Sequence, residues 1–405
     1  MFKCVLYLKR GVKRMYSKNK FKLGSERSAI RELFEYGKKQ KELVGEDNVF
    51  DFSLGNPSIP APKQVNKAIK KAMNKYSSNE LHGYTSAPGS FDTRKAISDE
   101  LNSRFGISSD SEDFYITCGA AAALCCVFGA LRENSKTEFI ALAPYFPEYK
   151  VFVEGASAKF NVVPFDEETQ INITALEKAI NVNTAGVIIN SPNNPSGIVY
   201  SKDTLEELCL LLKAKSEEFG HPIYIISDEP YRELVYDNIE VPFIPGIYDN
   251  TIVCYSYSKS LSLPGERIGY VYVPKSAENS REIYAAVAGT GRALGYVCAP
   301  SLLQRVIKEC VSVKPDLTIY NTNRKLLYEN LTKMGYSCVH PDGAFYLFVK
   351  SPNGDGNEFS DLAKLKNILV VPGESFGCKD FVRISYCVDT KVIKRALPYF
   401  KELIK

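Results

Sequence analysis

The sequence of 405 residues lacks the features that mark several protein classes. No apolar run is long enough to span a membrane, and its eleven cysteines form no Cys-x-x-Cys pair. The three histidines, His82, His221 and His340, are far apart in the chain. These absences argue against a membrane protein, a disulfide framework and a metal site. They favour thiols kept reduced in the cytoplasm.

A large excess of one charge is also missing. The formal net charge is +4, but residues 1–14 hold five Lys/Arg and no acidic residue, so the rest of the chain is nearly neutral. A nearly neutral chain gives no electrostatic reason to expect nucleic acid as a partner. The apolar part of residues 1–14 is too short for a secretory signal. We therefore expect translation to start at Met15, with residues 1–14 as a poorly ordered extension.

What the sequence does contain is a regular alternation of strand-like and helix-like segments. Helical patterns lie between the short β-branched runs; one of them, residues 204–220, has a Thr204/Glu207 capping pattern and a stop at Gly220. This alternation predicts an α/β fold with a mostly parallel sheet flanked by helices. Ligands of such sheets bind beyond the carboxyl ends of the strands. The strand-like runs cover residues 114–119, 138–144, 185–192, 223–228 and 251–258.

The pattern changes near residue 300 to helices followed by strand-like runs, which is typical of an α+β unit. The length exceeds that at which one core usually stops growing, so we expect two domains. We assign 1–25 to an N-terminal arm, 54–299 to a large domain, and 26–53 with 300–405 to a small domain. Residues 26–44 are predicted to form an amphipathic helix with Ile30, Leu33 and Phe34 on its one apolar face.

Unusual residues follow the first strand-like runs. The segment "TCGAAAAL" places Gly119, Ala120 and Ala121 at a strand-to-helix turn. There, backbone N–H groups could hold an anion, or the small residues could serve only close helix packing. "SPNNPSG" holds Asn194 in a predicted turn, and "ISDEPYREL" holds Asp228 directly after an apolar run. Taken alone, Asn194 is a common turn residue, and the commonest role for an aspartate such as Asp228 is a helix cap. A carboxylate at the ligand-binding edge of a sheet can also hold a protonated heterocycle nitrogen.

The most distinctive segment is "SYSKSLSLPGERIGY", residues 256–270. Ser256, Ser258 and Arg267 are residue types that bind phosphate, and Lys259 lies among them. A lysine in an apolar site can form a Schiff base with a carbonyl compound. The ordinary alternative is an exposed lysine just past a strand. Phosphate donors, a carboxylate, a phenol and such a lysine together describe a pyridoxal phosphate site.

In their order along the chain, these motifs resemble the class I/II aminotransferases. This family belongs to the fold-type I pyridoxal-phosphate-dependent transferases, and the resemblance runs from about residue 26 to the C-terminus. It implies the cofactor pyridoxal 5'-phosphate and a cytoplasmic homodimer with shared active sites. It also implies ping-pong transfer of an amino group from an L-amino acid, either aspartate or a broad range, to a 2-oxo acid such as 2-oxoglutarate.

The resemblance implies a role around the cofactor ring for five residues. Lys259 would bind the cofactor aldehyde and act as the base, and Asp228 would pair with the pyridine nitrogen. Tyr231 and Asn194 would donate hydrogen bonds to the phenolic oxygen of the ring. Tyr145, in "APYFPEY", would stack on the ring, where some relatives have a tryptophan that this chain lacks.

Further roles are implied at the phosphate and the substrate. Gly55, Asn194 and Arg383 would bind the α-carboxylate of the substrate. Arg292 is a candidate, by position only, for a second carboxylate; a structural role for it is equally consistent with the sequence. The residues implied at the phosphate are Gly119, Ala120, Ala121, Ser256, Ser258, Arg267 and, from a neighbouring subunit, Tyr84.

Two other functions remain open at this point. A β-lyase acting on cystathionine or similar cysteine derivatives would use the same cofactor and the same motifs. A cofactor-binding transcription regulator would need a DNA-binding domain ahead of this fold. Only about 25 residues precede the first predicted helix, which is too few for a helix-turn-helix domain.

Overall fold

The computed structural model describes residues 15–25, 28–166 and 171–404. Residues 1–14, including the predicted extension, lie outside the described residues. The strands are β1 (Phe50–Asp51), β2 (Phe114–Thr117), β3 (Glu138–Leu142), β4 (Lys159–Val163), β5 (Thr184–Asn190), β6 (Tyr224–Asp228), β7 (Thr251–Ser256), β8 (Gly269–Tyr272), β9 (Tyr346–Lys350), β10 (Ile368–Leu369), β11 (Val371–Pro372) and β12 (Phe381–Ser385).

The α-helices occupy most of the remaining described chain. They are α1 (Lys18–Ser25), α2 (Ala29–Val44), α3 (Lys63–Lys75), α4 (Ser78–His82), α5 (Phe91–Phe105), α6 (Ala120–Leu131), α7 (Glu148–Gly155), α8 (Ile173–Ala179), α9 (Lys202–Phe219), α10 (Tyr257–Ser260), α11 (Ser280–Ala293), α12 (Ser301–Lys308), α13 (Thr318–Met334), α14 (Gly356–Lys364) and α15 (Thr390–Leu403). In the part of the chain that the structure describes, no helix has the length and apolar character needed to cross a membrane.

The largest sheet has seven strands in the order β2-β8-β7-β6-β5-β3-β4. β8 is antiparallel to β2 and to β7, and the other neighbouring strands run parallel. The predicted mostly parallel α/β sheet is therefore confirmed. The sequence prediction did not include β4, a half-exposed edge strand, or the short β8.

Both faces of this sheet are covered by helices. Successive residues of a strand point to opposite faces. In β5, Ile188 packs with buried residues of α6 and α7, whereas Val187 and Ile189 pack with buried leucines of α9. Such double coverage explains why the central strands read as continuous apolar runs.

A second group of strands lies in the C-terminal part of the chain. β11, β12 and β9 form an antiparallel sheet, and β1 pairs in parallel with β10, with Phe50 opposite Ile368. Helices α13 and α15 pack with this group through Leu327, Leu331 and Phe400. Residues 50–51 thus join the C-terminal segment. The predicted domain boundaries themselves stay a prediction.

Helix α2 begins at Ala29, within the range predicted from the sequence. Ser28 caps it, since its hydroxyl oxygen accepts a hydrogen bond from the Arg31 N–H at 3.4 Å. Its buried residues are Leu33 and Gly37, spaced four apart on one face. Phe34 is 43% exposed, so the prediction that it shares the buried face is wrong. The buried stripe is narrower than the apolar pattern indicated.

Candidate active site

The carboxyl ends of β5, β6 and β7 meet at one cavity of about 310 Å³. Asn190 and Asp228 end neighbouring strands in register, and Ser256 ends the next strand. Because parallel strands end at the same edge of the sheet, the motif residues that follow them lie together. Of the predicted site residues, the cavity is lined by Gly55, Ala120, Ala121, Asn194, Asp228, Tyr231, Ser256, Ser258, Lys259, Arg267 and Arg383.

Asp228 lines the cavity and, within the described chain, has a partner for only one of its two carboxylate oxygens. Its Oδ2 accepts a hydrogen bond from the Tyr149 hydroxyl at 2.6 Å. Its Oδ1 is buried and has no hydrogen-bond partner among the described residues. Burial raises the pKa of Asp228 to about 7, although the Tyr149 hydrogen bond opposes this shift. An N–H donor that carries a positive charge would satisfy this oxygen and favour the ionised carboxylate.

Lys259 lies in the single turn α10, directly after β7. Its Nζ donates a hydrogen bond to the Gly55 carbonyl oxygen at 2.7 Å. Burial lowers the pKa of Lys259 to about 8, and the positive charges of Arg383 and Arg267 act in the same direction. With a pKa of about 8, a substantial fraction of this amine is uncharged at physiological pH. The uncharged amine can act as a nucleophile toward a carbonyl and as a base.

Hydroxyl and guanidinium groups gather beside the start of α6. The Ser256 and Ser258 hydroxyl oxygens are 2.8 Å apart, and Arg267 Nη1 donates to Ser258 Oγ at 3.3 Å. Gly119 precedes α6 with φ of +84°, and a Cβ there would lie 2.6 Å from Arg267 Nη2. Only glycine fits this turn. The N-terminal N–H groups of α6 begin at Ala120, so the corner suits a phosphate group.

Arg383 supplies a buried positive charge from the middle of β12. It is 2% exposed. Its Nη2 donates to the Ser53 carbonyl oxygen at 2.7 Å, and its Nη1 donates to Asn194 Oδ1 at 3.0 Å. Its Nε has no hydrogen-bond partner within the described ranges. Both recorded acceptors are uncharged, so the guanidinium is suited to receive a carboxylate from a ligand.

Comparison with known proteins agrees with this geometry. The sequence model for "Aminotransferase class I and II" matches residues 47–400. The chain belongs to the class I and II aminotransferase family. The family depends on pyridoxal phosphate, so the enzyme is a pyridoxal-phosphate-dependent aminotransferase, and the resemblance that the motifs carried is confirmed.

Individual relatives are similar over nearly the whole aminotransferase chain. An aspartate aminotransferase of Pyrococcus horikoshii is 30% identical over 92% of this chain and 93% of its own. An aromatic-amino-acid aminotransferase 2 of Thermococcus litoralis is 28% identical over 93% of this chain and 96% of its own. A crystal structure of an aminotransferase from Eubacterium rectale is 56% identical, with a TM-score of 0.95 over 96% of this chain and 98% of that one.

Tyr145 is the predicted ring-stacking residue of the aminotransferase, and it is not among the residues that line the cavity. Its ring packs edge-to-face on Phe160 with centroids 5.3 Å apart. Its N–H donates to the Phe376 carbonyl oxygen at 3.1 Å. The next residue, Phe146, lines the cavity instead. Phe146, not Tyr145, is thus the aromatic residue directly after β3 that lines the cavity, and the stacking role itself stays a prediction.

Three further predicted residues do not line this cavity: Gly119, at the turn before α6, Tyr84 and Arg292. Tyr84 is 89% exposed, and Arg292, in the last turn of α11, is also exposed. The role implied for Tyr84 requires a second copy of the chain, and the role of Arg292 is inferred from position only. They therefore stay predictions.

Sequence reasoning missed two tyrosines of the site. Tyr149 hydrogen-bonds Asp228 and lies within the motif "APYFPEY" that had been singled out for Tyr145. Tyr346 lines the cavity and follows Phe345 at the start of β9. No local signal marks Tyr346, because its partner Tyr231 lies 115 residues away in the chain.

Proposed function

We propose that this aminotransferase holds pyridoxal 5'-phosphate in the cavity at the ends of β5, β6 and β7. The observation that supports this most is the pair of groups facing that cavity. Asp228 offers a buried carboxylate oxygen without a partner in the described chain, and Lys259 offers an amine with a pKa of about 8. A protonated heterocycle nitrogen and an aldehyde are the groups that these two residues would hold.

The other predicted cofactor residues complete this arrangement. Asp228 would hold the pyridine nitrogen in its protonated form, and Tyr231 and Asn194 would donate to the phenolic oxygen. Phe146 would pack on one face of the ring. The phosphate would lie at the start of α6, held by Ser256, Ser258, Arg267 and the N–H groups of Ala120 and Ala121, with Gly119 at the turn and Tyr84 contributed by a second copy.

When bound, the cofactor supplies an electron sink for the bond electrons left by a departing α-proton. The chain supplies the rest. Arg383, with the Gly55 backbone and Asn194, would orient the substrate α-carboxylate. The neutral amine of Lys259 would remove the α-proton and return it to the cofactor carbon. Desolvation of that amine is what allows it to be neutral near pH 8.

We propose aspartate or a broad range of L-amino acids as donors and a 2-oxo acid such as 2-oxoglutarate as acceptor, exchanged by ping-pong kinetics. Relatives named as aspartate and aromatic-amino-acid aminotransferases support this range. Among the described residues, the cations that line the cavity are Lys259, Arg267 and Arg383, and each already has a proposed partner. A second carboxylate would need another cation, for which Arg292 is the candidate by position. The proposed form is a cytoplasmic homodimer.

The proposal is tested by mixing the purified holoenzyme with L-glutamate alone and following the visible spectrum. We expect the absorption of the lysine-bound cofactor to be replaced by that of pyridoxamine phosphate, with one 2-oxoglutarate formed per site. Lys259→Ala should abolish turnover, while Lys275→Ala, which changes an exposed lysine, should leave it intact. Full turnover by Lys259→Ala would sink the proposal. Release of pyruvate and ammonia from cystathionine without an acceptor would instead support a β-lyase.

A further inference from the structure

Tyr346 lies between the two halves of the proposed site. Its hydroxyl oxygen is 2.9 Å from that of Tyr231. Its ring supports Arg383, whose guanidinium carbon is 4.5 Å from the ring centroid. The side chain is almost fully buried, and a Cβ added at Gly55 would collide with its hydroxyl. One tyrosine thus contacts the predicted cofactor side and the predicted carboxylate side at once.

The direction of the hydrogen bond between the two tyrosines determines what Tyr231 can do. A phenol has one proton to donate but can accept further hydrogen bonds. Burial raises the pKa of Tyr346 to about 12 and that of Tyr231 well above its ordinary value, so both are neutral phenols at physiological pH. If Tyr231 donates to Tyr346, it has no proton left for a ligand in the cavity.

Arg383 favours the opposite direction. Its guanidinium lies against the Tyr346 ring, and its positive charge lowers the pKa of both phenols. Tyr346 keeps the lower pKa of the two, which makes it the better proton donor of the pair. The only hydrogen bond recorded for the Tyr231 hydroxyl among the described residues is that with Tyr346. With Tyr346 as donor, the Tyr231 proton is available to the cavity that Tyr231 lines.

We propose that Tyr346 is a positioning residue that donates its proton to Tyr231, and so directs the Tyr231 O–H into the cavity, while its ring supports Arg383. This inference rests on the proposed function, in which Tyr231 donates to the phenolic oxygen of the cofactor. Tyr346, at the start of β9, would thus control the direction of the hydrogen bond that Tyr231, beyond the end of β6, donates.

The test is a spectroscopic pH titration of the resting holoenzyme, which requires no turnover. A donor to the phenolic oxygen stabilises the deprotonated linkage between Lys259 and the cofactor, so its loss raises the pKa of that linkage. We expect Tyr346→Phe to raise it by about 0.5–1 unit, the equivalent of one hydrogen bond. Tyr231→Phe should raise it more, and the double variant should match Tyr231→Phe alone.

Tyr236→Phe is the matched control. Tyr236 is buried in the same core cluster and donates to the Ala344 carbonyl oxygen, outside the cavity lining. Its loss should lower stability without moving the titration. If Tyr346→Phe left the pKa of the linkage at its wild-type value while Tyr231→Phe raised it, the role of Tyr346 would be overturned but the cofactor role of Tyr231 would stand. An unshifted titration for both would overturn it together with the cofactor role of Tyr231.

A second pair of variants guards against a folding defect and tests the ring. Gly55→Ala should displace the Tyr346 hydroxyl and so raise the pKa of the linkage between Lys259 and the cofactor. An unchanged pKa would contradict the proposal. Tyr346→Leu also removes the ring beneath Arg383, so we expect KM for the amino donor to be about 5–10-fold above that of Tyr346→Phe. Equal KM values for the two variants would refute the supporting role of the ring.

Discussion

Asp228 and Glu229 are neighbours in the sequence and both are buried, yet they differ in how many of their carboxylate oxygens have partners. Glu229 has a partner for each oxygen: Oε1 accepts from the Ser227 hydroxyl at 2.8 Å, and Oε2 accepts from Arg232 Nε at 2.5 Å. Asp228 has a partner for only one oxygen. A buried charged group whose atoms all have partners within the protein has a structural role, whereas one with an atom left unpartnered indicates a ligand site.

The two buried arginines repeat this contrast. Arg232 pairs with Glu229, donates to two backbone carbonyl oxygens and lies 5.3 Å from the ring centroids of both Phe105 and Phe243, which stack on each other. Arg383 is equally buried, but its recorded hydrogen bonds go to uncharged oxygens. Removing these two cations should therefore have opposite consequences for stability and for catalysis.

The largest effect is expected for Arg232→Met. This change leaves Glu229 buried without its counter-charge, which should lower the free energy of unfolding by about 3–5 kcal/mol. Denaturant unfolding of the cofactor-free protein measures it. The folded fraction should keep its kcat, because Arg232 does not line the cavity. A loss below 1 kcal/mol would mean that the pair is not a structural necessity.

Arg383→Met should show the reverse pattern. Without the guanidinium, the substrate carboxylate loses its charged partner, and kcat/KM should fall by about 100–1000-fold. The unfolding free energy should stay within about 1 kcal/mol of the wild-type value, because no buried anion is left unpaired. Steady-state kinetics and denaturant unfolding on the same preparation check both halves. A strongly destabilised variant with normal kcat/KM would reverse the comparison.

The smallest effect is expected for Asp228→Asn in the cofactor-free protein. The pKa of Asp228 is raised by burial, so its contribution to stability is fully present below about pH 4 and is lost as pH rises to about 7. At pH 8 the asparagine variant should be more stable than wild type, by on the order of 2 kcal/mol. This difference should vanish toward pH 4. Denaturant unfolding at several pH values measures it.

Glu229→Gln is the control for that comparison. It removes the neighbouring carboxylate but leaves Arg232 without its counter-charge, so it should lower stability at pH 8 instead of raising it. Should both variants change stability in the same direction, the distinction between a fully partnered and a partly partnered buried charge would fail.

The sequence by itself determined the parallel central strands of the sheet and the groups at their carboxyl ends. Asp228 and Ser256 end apolar runs, and Lys259 follows Ser256 in the next turn. Parallel strands bring such ends together without any further information. Spacing within one motif also placed Gly119 at the start of α6. These features depend on short-range order, which hydrophobic pattern and turn chemistry specify.

Only the tertiary structure decided which side chains enter the cavity and in what electrostatic state. Tyr145 and Phe146 are adjacent aromatic residues, and packing alone turns one toward Phe160 and the other toward the site. Arg383 reaches Ser53 across 330 residues, and Tyr346 reaches Tyr231 across 115. Burial, which shifts the pKa values of Asp228 and Lys259, exists only once these distant segments pack.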